Sequence, residues 1–291
     1  MRRFRVPATI LALACLVGLV SLAAVRSGPR ATGSPWNDWN TLHLEARMGP
    51  FGSGRFEMRL RGDERKRVVE TFSVARFMGL RVGRSRTVSV LGPDGRTERY
   101  EQYSRERGRR YVFGDGGYTV EKLEAKNGFE AGPEGWSVYS ASEYPYSSKD
   151  GRIVRPFDYY ALLVHLRDSG LDKPGDEAEM YVANTDGPHP YRVKIVEART
   201  TERSWLDLAT GNERTEPLRE FRITIVPSDP GDEDEGFMNM QGQTEIWVEA
   251  GSKAPIEING RVPRVGLVKM KLQAMGSGRP APPGTHEPES D

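Results

Sequence analysis

Residues 55–61 read RFEMRLR, with Phe56, Met58 and Leu60 on one side of an extended chain and charges on the other. Apolar residues two apart are the mark of a strand that buries one face and wets the other. Runs of the same kind follow at 68–77, 84–91, 97–103, 109–113, 118–125 and 136–139, and again at 178–183, 191–200, 219–226, 244–249, 254–258 and 266–273. Turn residues separate them, as in Gly92-Pro-Asp-Gly95, Gly114-Asp-Gly-Gly117 and Gly132-Pro-Glu-Gly135. The chain is mainly β. Roughly a dozen strands in sequence make an antiparallel meander, and a flat open sheet rarely grows that far without curling. The expectation is a half-open β-barrel.

One segment breaks the period of two. FDYYALLVHLRDSGL, residues 157–171, carries its apolar side chains at helical spacing. Asp158 is a good N-cap, Pro156 stops an earlier start, and Gly170 with Leu171 suits a C-terminal cap. At about 100° per residue, Tyr159, Tyr160, Leu162, Leu163, Val164 and Leu166 cover an arc of roughly 200°, twice what a surface helix needs. A helix over about 158–168 is therefore expected to be buried against the concave side of the curled sheet.

The termini differ from this middle. Arg2, Arg3 and Arg5 precede an uncharged run from Val6 to Val25 that ends in small residues. This pattern reads as an export signal over residues 1–25, either cleaved or retained as a membrane anchor, since twenty apolar residues span a bilayer. In both cases the domain lies in the periplasm or cell envelope, and the membrane is met only through the N-terminal segment. Residues 26–38 form a linker, 39–275 a single β-rich domain, and 276–291 a Pro/Gly/acid tail too poor in apolar residues to fold.

Charge and composition exclude several functions. With the three leading arginines set aside the remaining charge is about −2, so no nucleic acid partner is implied. Of the basic residues 33 are Arg and 9 Lys, with acids strewn between them, which describes solvated sheet faces rather than a phosphate site. Cys15, the only cysteine, lies in the apolar run, so the domain has no disulfide, thiolate metal ligand or cysteine nucleophile. His43, His165, His189 and His286 share no metal-site spacing, and no cofactor is expected. Gly49-Pro-Phe-Gly-Ser-Gly54 opens a strand rather than a helix and reads as a hairpin turn, not a phosphate loop. The acidic tract 229–235 matches no calcium-loop spacing and reads as a solvated tip.

The series Asp158, Leu162-Leu163, Leu166-Arg167, Gly175, then Ile246-Trp-Val248, Pro255-Ile-Glu-Ile258, Gly266 and Leu272 resembles the exported bacterial family known as domain of unknown function 3108. The enlarged tract 204–217 and the acidic loop depart from that family's pattern. The resemblance implies an architecture like that of periplasmic lipoprotein carriers, a half-open barrel closed by helix. It supplies no catalytic residues.

Three functions follow from these observations. The first is a non-enzymatic carrier of a hydrophobic or amphiphilic envelope molecule such as a lipid, with Tyr144, Tyr146, Tyr160, Val164 and Trp247 as ligand-cavity candidates. The second is a non-catalytic partner of another envelope protein. The third, a hydrolase built on His165, is disfavoured because no nucleophile motif accompanies that histidine.

Overall fold

The computed structural model describes residue 36 and residues 38–63, 66–125, 135–149, 152–228, 236–263 and 265–277. The expected signal segment, the acidic tract 229–235 and nearly all of the tail from 276 onward lie outside the described residues.

The first half is a meander of eight strands: β1 (Trp39–Met48), β2 (Gly52–Gly62), β3 (Arg67–Phe77), β4 (Leu80–Leu91), β5 (Thr97–Ser104), β6 (Arg107–Phe113), β7 (Gly117–Ala125) and β8 (Trp136–Pro145). A small hairpin, β9 (Ser147–Lys149) and β10 (Arg152–Val154), leads into helix α1 (Tyr159–His165). Six strands complete the chain: β11 (Glu177–Ala183), β12 (Pro188–Asp207), β13 (Asn212–Pro227), β14 (Gln241–Glu249), β15 (Pro255–Val262) and β16 (Gly266–Ser277). Fourteen of these form one sheet in the order β11-β12-β13-β14-β15-β16-β1-β2-β3-β4-β5-β6-β7-β8. The first strand pairs with the last, so β1 and β16 are the seam between the halves. The expected curled antiparallel meander with one buried helix is present.

The helix begins where its sequence directs. The Asp158 carboxylate accepts backbone N–H groups of Tyr160 at 2.8 Å and Ala161 at 3.1 Å, satisfying donors that the first turn leaves unpaired. The α-helix is shorter than expected, ending at His165, and a 3₁₀ turn carries the chain through Leu166–Asp168. Gly170 then adopts a φ of +74°, a conformation open to glycine, and Leu171 returns to the core. Tyr160, Ala161, Leu162, Leu163 and Leu166 are buried, while Tyr159 and Val164 are half-buried at the margins.

On the convex face the arginines and acids pair across strands. Arg61 and Arg86 flank Glu70, Glu101 and Glu121 flank Arg110, and Glu197 and Glu245 flank Arg222. This is the solvated-face arrangement expected from the interspersed charges.

The tract 204–217 is the tip of a long hairpin. A register shift between Ile195 and Glu197 in β12 moves its later side chains to the other face. Tyr191, Val193 and Ile195 face the concave core, whereas Arg199 and Arg203 lie across the register shift and both meet Glu220, and Trp205 is buried against Trp36. The distal hairpin then reaches β16, pairing Leu206 with Ala274 and Asp207 with Met275 in parallel. Strands β12 to β16 thereby close on one another, whereas β8 remains an edge.

Candidate functional site

Strand register arranges the concave face of the first half in cross-strand rows. Val69, Ser89, Tyr100, Tyr111 and Val120 form one row, lying directly opposite one another on successive strands. The next contains Leu42, Met58, Thr71, Thr87, Gln102 and Arg109. Beyond it lie Leu44, Phe56, Ser73, Ser85 and Ser104, and last Ala46, Gly54, Ala75 and Gly83. Side chains are smallest in the last row, which is all Ala and Gly.

Helix α1 sits over the first rows. Asp158 is buried at its N-terminus, where its carboxylate also accepts hydrogen bonds from the hydroxyls of Ser89 and Thr97. Burial pushes the Asp158 carboxyl upward, against the pull of these four donors. The Thr71 and Thr87 hydroxyls bond each other at 2.6 Å and also meet the Tyr160 hydroxyl. One row further out, Ser73 and Ser85 bond each other at 2.6 Å but are only half-buried. Ala75, Gly83 and Gln102 are half-buried as well, and Arg109 is exposed. The helix thus covers one part of the concave face and leaves beside Phe56 a half-buried strip, the groove, that holds Ser73, Ser85, Ala75 and Gly83.

An aromatic ladder runs beneath this cover. Centroids are 6.2 Å apart for Phe56 and Tyr160, 6.3 Å for Tyr160 and Tyr100, and 5.4 Å for Tyr100 and Tyr111. The ladder continues to Tyr118 at 6.2 Å and Tyr144 at 5.5 Å, all within the range in which rings attract. Desolvation pushes the Tyr111 hydroxyl up to about 12 and raises those of Tyr100, Tyr118 and Tyr160, so they stay protonated donors. The Tyr118 hydroxyl donates to the Asn184 carbonyl at 2.8 Å, and that of Tyr144 donates to the Thr185 carbonyl. These bonds fasten the 184–187 turn over the ladder's end.

The five residues singled out in the sequence therefore separate. Tyr144 and Tyr160 stand in one ladder, although the Tyr160 ring is packed rather than open. Tyr146 is buried and donates to the Gly114 carbonyl at 2.6 Å, pinning the chain to the β6–β7 turn. Val164 lies half-buried on the helix flank. Trp247 alternates with the core residues Ile246 and Val248 and faces the convex side, where the Arg199 guanidinium lies 3.4 Å from its ring centroid. It does not line the concave face, because its odd position in β14 sends it the other way. Tyr100, Tyr111 and Tyr118, which the sequence reading did not select, form the middle of the ladder. Their alternation is visible in sequence, but the register that aligns them is not.

His165 packs its ring on Phe157 at 4.5 Å, and Arg96 covers the other ring at 4.1 Å from its centroid. Burial and the neighbouring Arg96 push the His165 pKa down. Its neighbours make it a packing residue of the helix end.

No protein-family model matches the chain, and no curated protein matches it. A solved structure is similar: the crystal structure of a β-barrel-like protein of domain of unknown function DUF1849 from Brucella abortus. Its TM-score is 0.54 at 8% identity, over 83% of this chain and 99% of that one. The likeness is one of fold, to a β-barrel-like protein of a different domain of unknown function from 3108.

Proposed function

We propose that this is an exported, non-enzymatic envelope protein that holds an amphiphile against its concave face. One observation carries the reading: the short helix covers the aromatic rows but leaves the paired hydroxyls of Ser73 and Ser85 half-exposed beside Phe56. An apolar chain would lie along Phe56 and the edge of Tyr160, and its polar head would reach Gln102 and Arg109 one row away. Membership in domain of unknown function 3108 belongs to the same proposal. Organic-solvent extraction of the purified protein followed by mass spectrometry tests for the ligand. Ala75→Trp fills the groove and is expected to abolish uptake of a fluorescent fatty-acid probe, while His165→Ala leaves uptake unchanged. An extract without a stoichiometric amphiphile, together with no probe uptake, defeats the carrier reading.

A second reading has its own observation. Strand β8 is an edge of ten residues, mostly exposed on both faces, with Val138 and Tyr139 outward. Such an edge can accept a strand from a protein partner. Co-purification that Val138→Pro abolishes, because proline breaks the edge ladder, would support it over the carrier.

A further inference from the structure

Three neighbouring hairpin turns share one rim of the sheet. Val268 pairs with Met48, Met48 with Gly52, and Gly52 with Phe77, so the β15–β16, β1–β2 and β3–β4 turns stand side by side. The Met78 amide ties the last two together by donating to the Phe51 carbonyl at 2.9 Å. Large apolar side chains project from all three tips: Phe51 is 63% exposed, Met78 71%, Leu80 73% and Leu267 69%. Among the described residues the other exposed apolar side chains on the sheet are single or in pairs, such as Val138 with Tyr139, whereas the cluster at the tips is larger and marks an interaction surface.

Within these three turns the charges have one sign; acids in the neighbouring connections at this end of the sheet are Glu106 in the β5–β6 turn and, in sequence, the tract 229–235 between β13 and β14. Residues 47–55 contain Arg47 and Arg55, residues 76–84 contain Arg76, Arg81 and Arg84, and residues 261–267 contain Arg261 and Arg264, with no Asp or Glu in any of the three. This departs from the convex face, where arginine and acid alternate strand by strand. Apolar tips flanked by arginines match the interface of an anionic bilayer, in which apolar side chains sink several ångströms and arginines meet headgroup phosphates. An acidic protein would satisfy the arginines but would need a shaped apolar pocket for each projecting tip, whereas a lipid surface moulds to them.

We infer that this rim docks on anionic lipid membranes through Phe51, Met78, Leu80 and Leu267. The contact is additional to the N-terminal one expected from the sequence. Trp39, where β1 begins, is separated from the rim by the ten-residue length of that strand, about 30 Å at 3.3 Å per residue. It does not depend on the amphiphile reading, since none of the tip residues lines the groove.

The test uses the full chain with Cys15→Ser, so that a single introduced cysteine carries an environment-sensitive fluorophore. A probe at Met78→Cys is expected to shift to the blue on phosphatidylglycerol vesicles, whereas a probe at Glu213→Cys, near the tip of the long β12–β13 hairpin, is not. At about 1 kcal/mol per arginine, roughly fivefold each, Arg76→Gln with Arg81→Gln should weaken the Met78 probe's half-saturation on those vesicles about 25-fold. Leu80→Ser should weaken it as well, and salt should do so progressively. Phosphatidylcholine vesicles should give little shift. A silent probe at position 78, an equal response on phosphatidylcholine, or no change on Arg76→Gln with Arg81→Gln each overturns the inference. Circular dichroism of every variant should be unchanged, because all these positions are exposed; the amphiphile extraction is read separately and can fail without affecting this result.

Discussion

The two halves of the sheet are built from the same kind of meander yet bury different numbers of faces. In β1 to β8 the concave face mixes Tyr, Thr and Ser with Leu42, Leu44, Phe56 and Met58 under a helix, and the convex face is a ladder of ion pairs. In β14 and β15 the buried residues run consecutively, Ile246 to Val248 and Pro255 to Ile258, because both faces are covered. The cover comes from the chain itself. The long β12–β13 hairpin flips its faces at the bulge and returns to β16, burying Trp205 and Glu220. Curling closes a sheet completely only where a strand is long enough to come round. The half left open keeps polar side chains in its hollow, since those can bond one another or water.

The comparison breaks most visibly by placing a charge in the aliphatic half. Ile246→Asp buries a carboxylate with no partner at a position of 0% exposure, and Leu163→Asp buries one on the inner side of the helix. Each should remove several kcal/mol, of the order of the whole stability margin, and abolish the cooperative thermal transition. A Ser85→Asp substitution in the open half should leave a folded protein. An unchanged melting temperature for Ile246→Asp would mean that the two halves do not differ as described.

Glu220 tests the closure. It is fully buried between Arg199 at 3.1 Å and Arg203, whose guanidinium it holds above its ordinary pKa. Glu220→Ala leaves two arginines facing a void and should cost about 3–5 kcal/mol, measured by denaturant unfolding. Glu220→Leu with Arg203→Met should recover much of that loss.

The halves should also answer pH with opposite signs. Burial raises the Asp158 carboxyl, so the stability it contributes is present below the ordinary carboxylate range and is lost as pH rises through its raised value. Burial also opposes ionisation of Glu257, but Lys269 at 2.8 Å and Asn259 at 2.9 Å outweigh it and lower its pKa. Its stability is present above that range and lost as pH falls. In melts across the acid range, the advantage of wild type over Asp158→Asn should shrink as pH rises, and the advantage over Glu257→Gln should shrink as pH falls. Parallel trends would refute the assignment.

The smallest effect belongs to the groove. Ser73→Ala breaks a half-exposed hydroxyl pair and should cost less than about 1 kcal/mol, a shift of only about 2–4 °C in Tm. If it cost as much as a core truncation, Ser73 would be part of the packed interior rather than of an open surface.

The sequence by itself determined the period of two, the turn positions, the Asp158 cap and the burial of Leu162 and Leu163, because each depends on residues within about a helical turn or a hairpin. It left β1 unmarked: the strand reading begins at residue 55, although Leu42, Leu44 and Ala46 alternate inward in β1. It placed Trp247 in the hollow, since an aromatic in a strand does not declare its face. Register decided the rest. Only the pairing of β1 with β16 makes one sheet of two meanders, and only the stacking of β5 to β8 turns separate tyrosines into a ladder. The three rim tips lie more than 180 residues apart in the chain from first to last, and their apolar and cationic side chains become one surface only when cross-strand pairing sets them side by side.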